Sequence, residues 1–283
     1  MTAAPAGTAA GPGPAAADAS PVPPARRRRG LRRRLLPLAS VAGTIALLEA
    51  AVRAEVVDPL YVPYPSTILV RLVEDLLTQQ LWAAIAATLG QAVAGLAAGG
   101  AAAVVAGLLL GTFPALERAL NPVIEFLRPI PSIAILPLVI LWLGLGHESV
   151  VLLVANSAFW LVLVLTVQGA RSVDPLTRDA MTVFGLGARQ RFVRLTLPSA
   201  LPFVITGTRI AGAVAIVVAI TAELLGGMDG LGRLVMRAEL GADRVGMFAY
   251  IVVAGLLGLV VNAALERAER RLLVWHPSQR KEA

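Results

Sequence analysis

Six apolar stretches, at about 35–54, 86–112, 122–145, 149–170, 201–225 and 246–265, constrain this 283-residue chain more than anything else in it. Each is long enough to cross a hydrocarbon layer of roughly 30 Å as a helix. Inside such a layer every backbone N–H and C=O needs a partner within the protein, and a helix supplies its own. The fold class is therefore all-α, a polytopic membrane protein of about six transmembrane helices. The composition agrees: 57% of residues are hydrophobic and 15% charged, more apolar surface than a soluble core uses.

Charge sets the orientation. Six crossings place both termini on one side, and the basic residues divide accordingly. Nineteen of the 25 Lys and Arg fall on the inner segments. These are the seven arginines of the head, Arg118, Arg128, Arg171, Arg178, Arg189, Arg191 and Arg194, then Arg267, Arg270, Arg271, Arg280 and Lys281. Five lie outside: Arg53, Arg71, Arg233, Arg237 and Arg244, with Arg209 left inside a span. The net charge of +7 thus serves topology and anionic-lipid contact rather than nucleic acid. Cysteine is absent, so disulfides and thiolate chemistry are excluded. His147 and His276 are too far apart in sequence for a helical metal pair. The one lysine, Lys281, follows no glycine-rich turn, so the chain has no P-loop and any use of ATP falls to another chain.

Residues 1–34 form an Ala/Pro/Gly-rich and then Arg-rich head, whose first 25 residues carry too little apolar bulk to offset ordering entropy and are expected to be disordered. A basic block before an apolar run also describes a signal peptide, but the run to about Ala54 is long for one, and a first span is the better reading. The remainder reads as one membrane domain, 35–277, with a short tail, 278–283. In the first outside loop Ser66 is expected to cap an amphipathic helix over 67–80. Gly95, Gly99, Ala103, Gly107 and Gly111 recur every fourth residue in the second span. Such a stripe lets a neighbouring backbone approach closely; Ala/Gly-rich composition is the competing explanation. Pro129-Ile130-Pro131-Ser132 interrupts the third span, as a pore-lining hinge or as a static kink.

Between the fourth and fifth spans lies the most informative segment, the inner loop 171–200. Asp174-Pro175 places a capping carboxylate and an N1 proline at a helix start. That helix is expected to run to about Phe184, with Gly185 and Gly187 permitting a tight reversal. A second short helix is expected over 188–196, with Pro198 and Pro202 marking the return into the membrane. Too polar to cross and too short to be a domain, the element suits transmission of force from a partner. Arg189, Arg191 and Arg194 meet either acidic groups on that partner or lipid head groups.

The order Asp179-Ala180-Met181, three residues, Gly185, nine residues, Leu195-Thr196-Leu197-Pro198 resembles the E-A-A-x3-G-x9-I-x-L-P loop by which ABC importer permeases grip their ATPases. Ala180, Gly185, Leu197 and Pro198 match; Asp179, Met181 and Leu195 depart conservatively. From Leu60 to Pro277 the chain is similar to the nitrate/sulfonate/taurine branch of these permeases. The likeness is carried by Val62-Pro63-Tyr64-Pro65, Thr88-Leu89, Arg128-Pro129-Ile130-Pro131, Leu136 to Trp142, Ala222-Glu223, Gly230-Leu231-Gly232 and Trp275-His276-Pro277. The resemblance implies type I ABC importer architecture and a permease pair, here a homodimer, in the inner membrane of a bacterium. It implies two cytoplasmic ATPase subunits holding ATP and magnesium, an external solute-binding protein, and no cofactor in this chain. A small anion (aliphatic sulfonate, taurine or nitrate) is the implied solute, with a thiamine-precursor-like compound as the alternative.

Polar residues in the spans mark the path or merely pack. Glu223 lines a wet cavity, or pairs with Arg233, Arg237 or another helix. Ser132, Pro131 and Asn156 are pore or gate candidates; Asn156, Ser157 and Thr166 could line a passage, and interhelical hydrogen bonding is the better reading of each. Glu49 and Arg53 form an ordinary i,i+4 pair. A self-sufficient secondary transporter needs ionisable groups near mid-bilayer and an inverted repeat; the charges here cluster at span ends and no repeat is evident. An intramembrane enzyme finds no Gly-x-Ser-x-Gly and no cysteine to work with.

Overall fold

The computed structural model describes residues 29–273, with the side chains of 29–35, 37 and 38 outside that description. The expected disordered stretch, Arg26, Arg27 and Arg28 of the arginine block, Trp275-His276-Pro277 and the tail 278–283 lie outside the described residues. The chain divides into two units, Met1–Leu47 and Leu48–Ala283. Helix α1 (Arg29–Arg53) begins in the first and ends in the second. The second unit continues with α2 (Pro65–Leu76), α3 (Gln79–Thr112), α4 (Pro114–Leu127), a 3₁₀ turn (Ser132–Ile135), α5 (Leu136–Leu143) and α6 (His147–Arg171). It ends with α7 (Pro175–Val183), α8 (Ala188–Arg191), a π turn (Phe192–Thr196), α9 (Leu197–Gly226), α10 (Leu231–Leu240) and α11 (Arg244–Leu272).

The glycine stripe decides how α3 packs. A Cβ added at Gly99 would fall 2.1 Å from the Ala155 carbonyl oxygen, and one at Gly107 would fall 2.6 Å from the Thr166 Cβ. Gly95 faces Val154 and Gly111 faces Ala170, so α3 and α6 run parallel with their backbones nearly touching. The stripe is therefore an interface and not a by-product of composition. Thr166, fully buried against it, donates to the Val162 carbonyl at 2.7 Å and so packs rather than lines a passage.

Parallel α3 and α6 require the chain between them to return across the layer. The expected third span, 122–145, is not one helix. Instead α4 and the Ser132–Leu143 stretch form a pair bent by 78°. Pro129 and Pro131 lack N–H donors and so cannot continue the helical ladder; Arg128 is the last residue in helical backbone, Pro131 is extended, and the helix that stops at Leu127 restarts at Ser132. Gly169 meets Phe203 while Gly207 meets Leu165, which makes α9 antiparallel to α6. Glu269 and Leu265 of α11 reach Thr206 and Gly212, making α11 antiparallel to α9. The 172–196 loop, the start of α4 and the end of α11 consequently share one face, hereafter the loop face.

Among the described residues four helical stretches are long and apolar enough to cross a membrane, or five with the bent pair. The expected first span, 35–54, falls on α1, whose opening side chains lie outside the described residues, and it is not part of that count. The other boundaries shift outward. α3 begins at Gln79 because Thr78 caps it, accepting from the Leu81 N–H at 3.4 Å. Ser66 does not cap α2, which starts at Pro65; its N–H and hydroxyl instead donate to Glu49, at 3.0 and 2.9 Å. Glu49 also holds Arg53 at 2.7 Å as expected. Arg209 finds Glu269 at 2.7 Å, an ion pair between α9 and α11.

The stripe gives a paired test. Gly99→Ala drives a methyl into a backbone oxygen and is expected to lower stability by about 1–3 kcal/mol. Gly100→Ala meets nothing within 4 Å and should be neutral or slightly stabilising through helix propensity. Thermal unfolding of the detergent-solubilised protein, followed by circular dichroism, compares them; equal behaviour would remove the close-approach argument.

Candidate functional site

On the loop face, Asp174 starts α7 as expected. Its carboxylate accepts from the Leu176 N–H at 3.3 Å, the Thr177 N–H at 3.2 Å and the Thr177 hydroxyl at 3.0 Å. Those bonds, the Thr177 hydroxyl first, hold its pKa below the usual carboxylate value. α7 ends where Gly185 adopts φ +75°, a left-handed turn that a Cβ disfavours. The Leu186 N–H then reaches back to the Met181 carbonyl at 3.0 Å. Arg191 donates to Thr182 Oγ1, tying α8 to α7.

The second short helix differs from its expectation. α8 covers only 188–191 and passes through a π turn into α9 without a break, the Leu197 N–H reaching the Phe192 carbonyl. Pro198 has no N–H and its ring displaces the carbonyl one turn back; the wider π turn accommodates it. Pro198 and Pro202 therefore sit inside the continuous helix rather than marking its entry. Asp179, Ala180, Gly185, Arg189, Leu197 and Pro198 are exposed, with Met181 and Leu195 half-buried.

Sequence reasoning missed the apolar ridge beside them. Leu176, Val183 and Phe184 are 76%, 85% and 81% exposed. With Ala180 they lie at i, i+4, i+7 and i+8, one face of α7. That spacing was legible, but apolar residues in a membrane protein draw no notice until a polar helix is seen to carry them.

At the opposite face, Glu223 is neither on a wet wall nor paired with an arginine; of its expected alternatives, pairing with another helix is the one found. It is fully buried, and its Oε2 accepts from Thr88 Oγ1 and from the Gly232 N–H, both at 2.9 Å. Thr88 Oγ1 in turn accepts from the Leu231 N–H at 2.9 Å. Arg233 is taken by Asp229, one turn earlier. Gly230 and Gly232 make this possible: Cβ atoms there would fall 2.1 Å from the Glu223 carboxyl carbon and 2.2 Å from the Ile220 carbonyl oxygen. Beside it Gln91 Nε2 contacts His147 Nδ1 at 2.5 Å and donates to the Asp229 carbonyl at 3.0 Å. The cluster clasps the start of α10 onto α3 and α9.

Ser132 and Asn156 do come together, Asn156 Nδ2 donating to Ser132 Oγ at 2.9 Å. Pro131, exposed, opens the 3₁₀ turn that presents Ser132. Against that turn lies an open cavity of about 420 Å³ between the helix break, α6 and α9. Arg128, expected at the inner end of its span, lines this cavity beside Ser157 and Trp160, midway along α6. Metal chemistry finds no donor set: among the described residues no group of three His, Asp or Glu could hold an ion.

Comparison with known proteins accounts for this arrangement. The family described as binding-protein-dependent transport system inner membrane component matches residues 99–274. A Bacillus subtilis permease named for aliphatic sulfonates transport, SsuC, is 31% identical over 255 residues, 90% of this chain and 91% of that protein. The taurine transport system permease protein TauC of Escherichia coli is 31% identical over 249 residues, 86% of this chain and 88% of its own length. Among solved structures, a chain of the inward-facing MetNI methionine ABC transporter has a TM-score of 0.60 at 19% identity, covering 68% of this chain and 95% of its own. That last likeness concerns the fold alone.

The clasp has its own test. Thr88→Val removes a donor to Glu223 and the acceptor of the Leu231 N–H together, with an expected loss of about 1–3 kcal/mol for each group left unpaired. Thr88→Ser keeps the hydroxyl and should stay near the parent. Thermal unfolding in detergent distinguishes them, and a Val variant as stable as the Ser variant would remove the clasp.

Proposed function

Because the chain belongs to the binding-protein-dependent transport system inner membrane component family, as an ABC importer permease, we propose that it forms the passage for a small anionic solute. An aliphatic sulfonate or taurine is the substrate class, and the names of its relatives support that choice. Two copies form the passage. Two cytoplasmic ATPase subunits, carrying ATP and magnesium, drive it, and an external solute-binding protein feeds it. The chain itself performs no catalysis.

One observation carries this reading: the exposed ridge of α7 is braced by Arg191 on Thr182 against α8, and α8 runs through the π turn into α9 without interruption. A ridge of that kind seats in a partner's groove. Movement of the groove is then passed along one continuous helix into the membrane layer, where the bundle takes inward-open or outward-open arrangements. The loop face is cytoplasmic in this scheme. Arg118, Arg171, Arg178, Arg189, Arg191, Arg194, Arg267, Arg270 and Arg271 all fall at its helix ends and loops, which the positive-inside rule supports. Both termini are cytoplasmic in this scheme.

Gly185→Pro and Phe184→Asp are the variants that test it. The first breaks the turn and the second charges the ridge. Co-purification of the ATPase subunits and ATP-dependent taurine uptake should each fall on the order of tenfold or more, as for loss of an interface anchor. Size-exclusion elution of the permease should be unchanged. Normal assembly and normal uptake in both variants would end the proposal.

A further inference from the structure

Midway through the layer a cation stands without a partner. Arg128 ends α4 where the helix breaks, and its guanidinium makes no hydrogen bond or ion pair with any described residue. It lines the 420 Å³ cavity with the hydroxyl-bearing Ser132 and Ser157, against walls that include Trp160, Ile210 and Val214. These side chains belong to the middle of α6 and α9, at the depth where an unpaired charge is most costly. No other charged residue lines that cavity.

Toward the loop face, a second cavity of about 170 Å³ shares Arg128 with Glu117, Glu125 and Gln168. Its carboxylates are already engaged. Glu117 is held by Arg171 and Glu125 accepts from Asn121 Nδ2 at 2.8 Å. Arg128 therefore stands at a boundary, with one uncompensated positive charge on one side and two carboxylates on the other.

We infer that the Arg128 cavity is the anion subsite of the passage, taking an oxyanion head on the guanidinium and a short alkyl chain against the apolar wall. The fork of guanidinium donors matches the oxygens of a sulfonate. The Ser132 and Ser157 hydroxyls supply further donors to the head. A short chain replaces water against Trp160, Ile210 and Val214. Glu125, whose charge the neutral Asn121 amide leaves uncancelled, repels the same head and keeps it in the upper cavity. The inference rests on the permease reading and assigns its substrate class to a place.

The chain has no cysteine, so Ser157→Cys installs a single reporter thiol per chain in the cavity. In the full-length protein in nanodiscs, its rates of modification by 2-sulfonatoethyl and by 2-(trimethylammonium)ethyl methanethiosulfonate are measured. Each is divided by that reagent's rate with free 2-mercaptoethanol. The normalised ratio should favour the sulfonate reagent, fall on the order of tenfold when Arg128→Gln is added, and survive Arg128→Lys. Excess ethanesulfonate should slow the labelling, and ethanol should not. A ratio at or below one, a ratio unchanged by Arg128→Gln, or a thiol that neither reagent reaches would overturn the subsite. Co-purification of the ATPase subunits with the same variants reports on the permease reading independently.

Discussion

Everything in the bundle follows from how closely α3 and α6 approach. With side chains removed at Gly95, Gly99, Gly107 and Gly111, the two helices meet backbone to backbone. In lipid, where burying apolar surface offers little between helices, such contact is a main source of association. It also fixes direction. Parallel helices of successive crossings need a return path between them, and α4 with α5 provides it only as a bent pair. The break that hosts Arg128, Pro131 and Ser132 is thus the geometric companion of a glycine stripe some thirty residues earlier.

Much of this was legible in the residues, and the reasons for the rest are physical. The α7 cap at Asp174 and the turn at Gly185 stood out because short-range chemistry dictates them. The glycine stripe was visible as a period, though only α6 showed what it was for. Glu223 could not be read, since its partners Thr88 and Gly232 approach through folding and neither bears the charge that a search for counter-ions seeks. Arg209 and Glu269 are likewise sixty residues apart. Prolines were read unequally well: Pro129 and Pro131 interrupt the third apolar run where expected, while Pro198 and Pro202, expected to mark the return into the membrane, sit inside a helix that began earlier.

The two faces divide their labour. Away from the loop face, buried polar groups lock α10 to α3 and α9 with hydrogen bonds whose loss is costly in a dry environment. On the loop face the ridge of α7 stays bare and its polar contacts are local. One end of the bundle is therefore held rigid while the other offers itself for contact.

The π turn between these regions has a mechanical implication. Phe192–Thr196 holds one residue more than α spacing would, and an α-helix advances about 100° per residue. If that surplus is expelled, or slides along the helix, every side chain beyond it turns by about that angle while hydrogen bonding continues. A linear shove at Phe184 can then emerge among Ile210 and Val214 as a twist, exchanging which flank of α9 faces the Arg128 cavity.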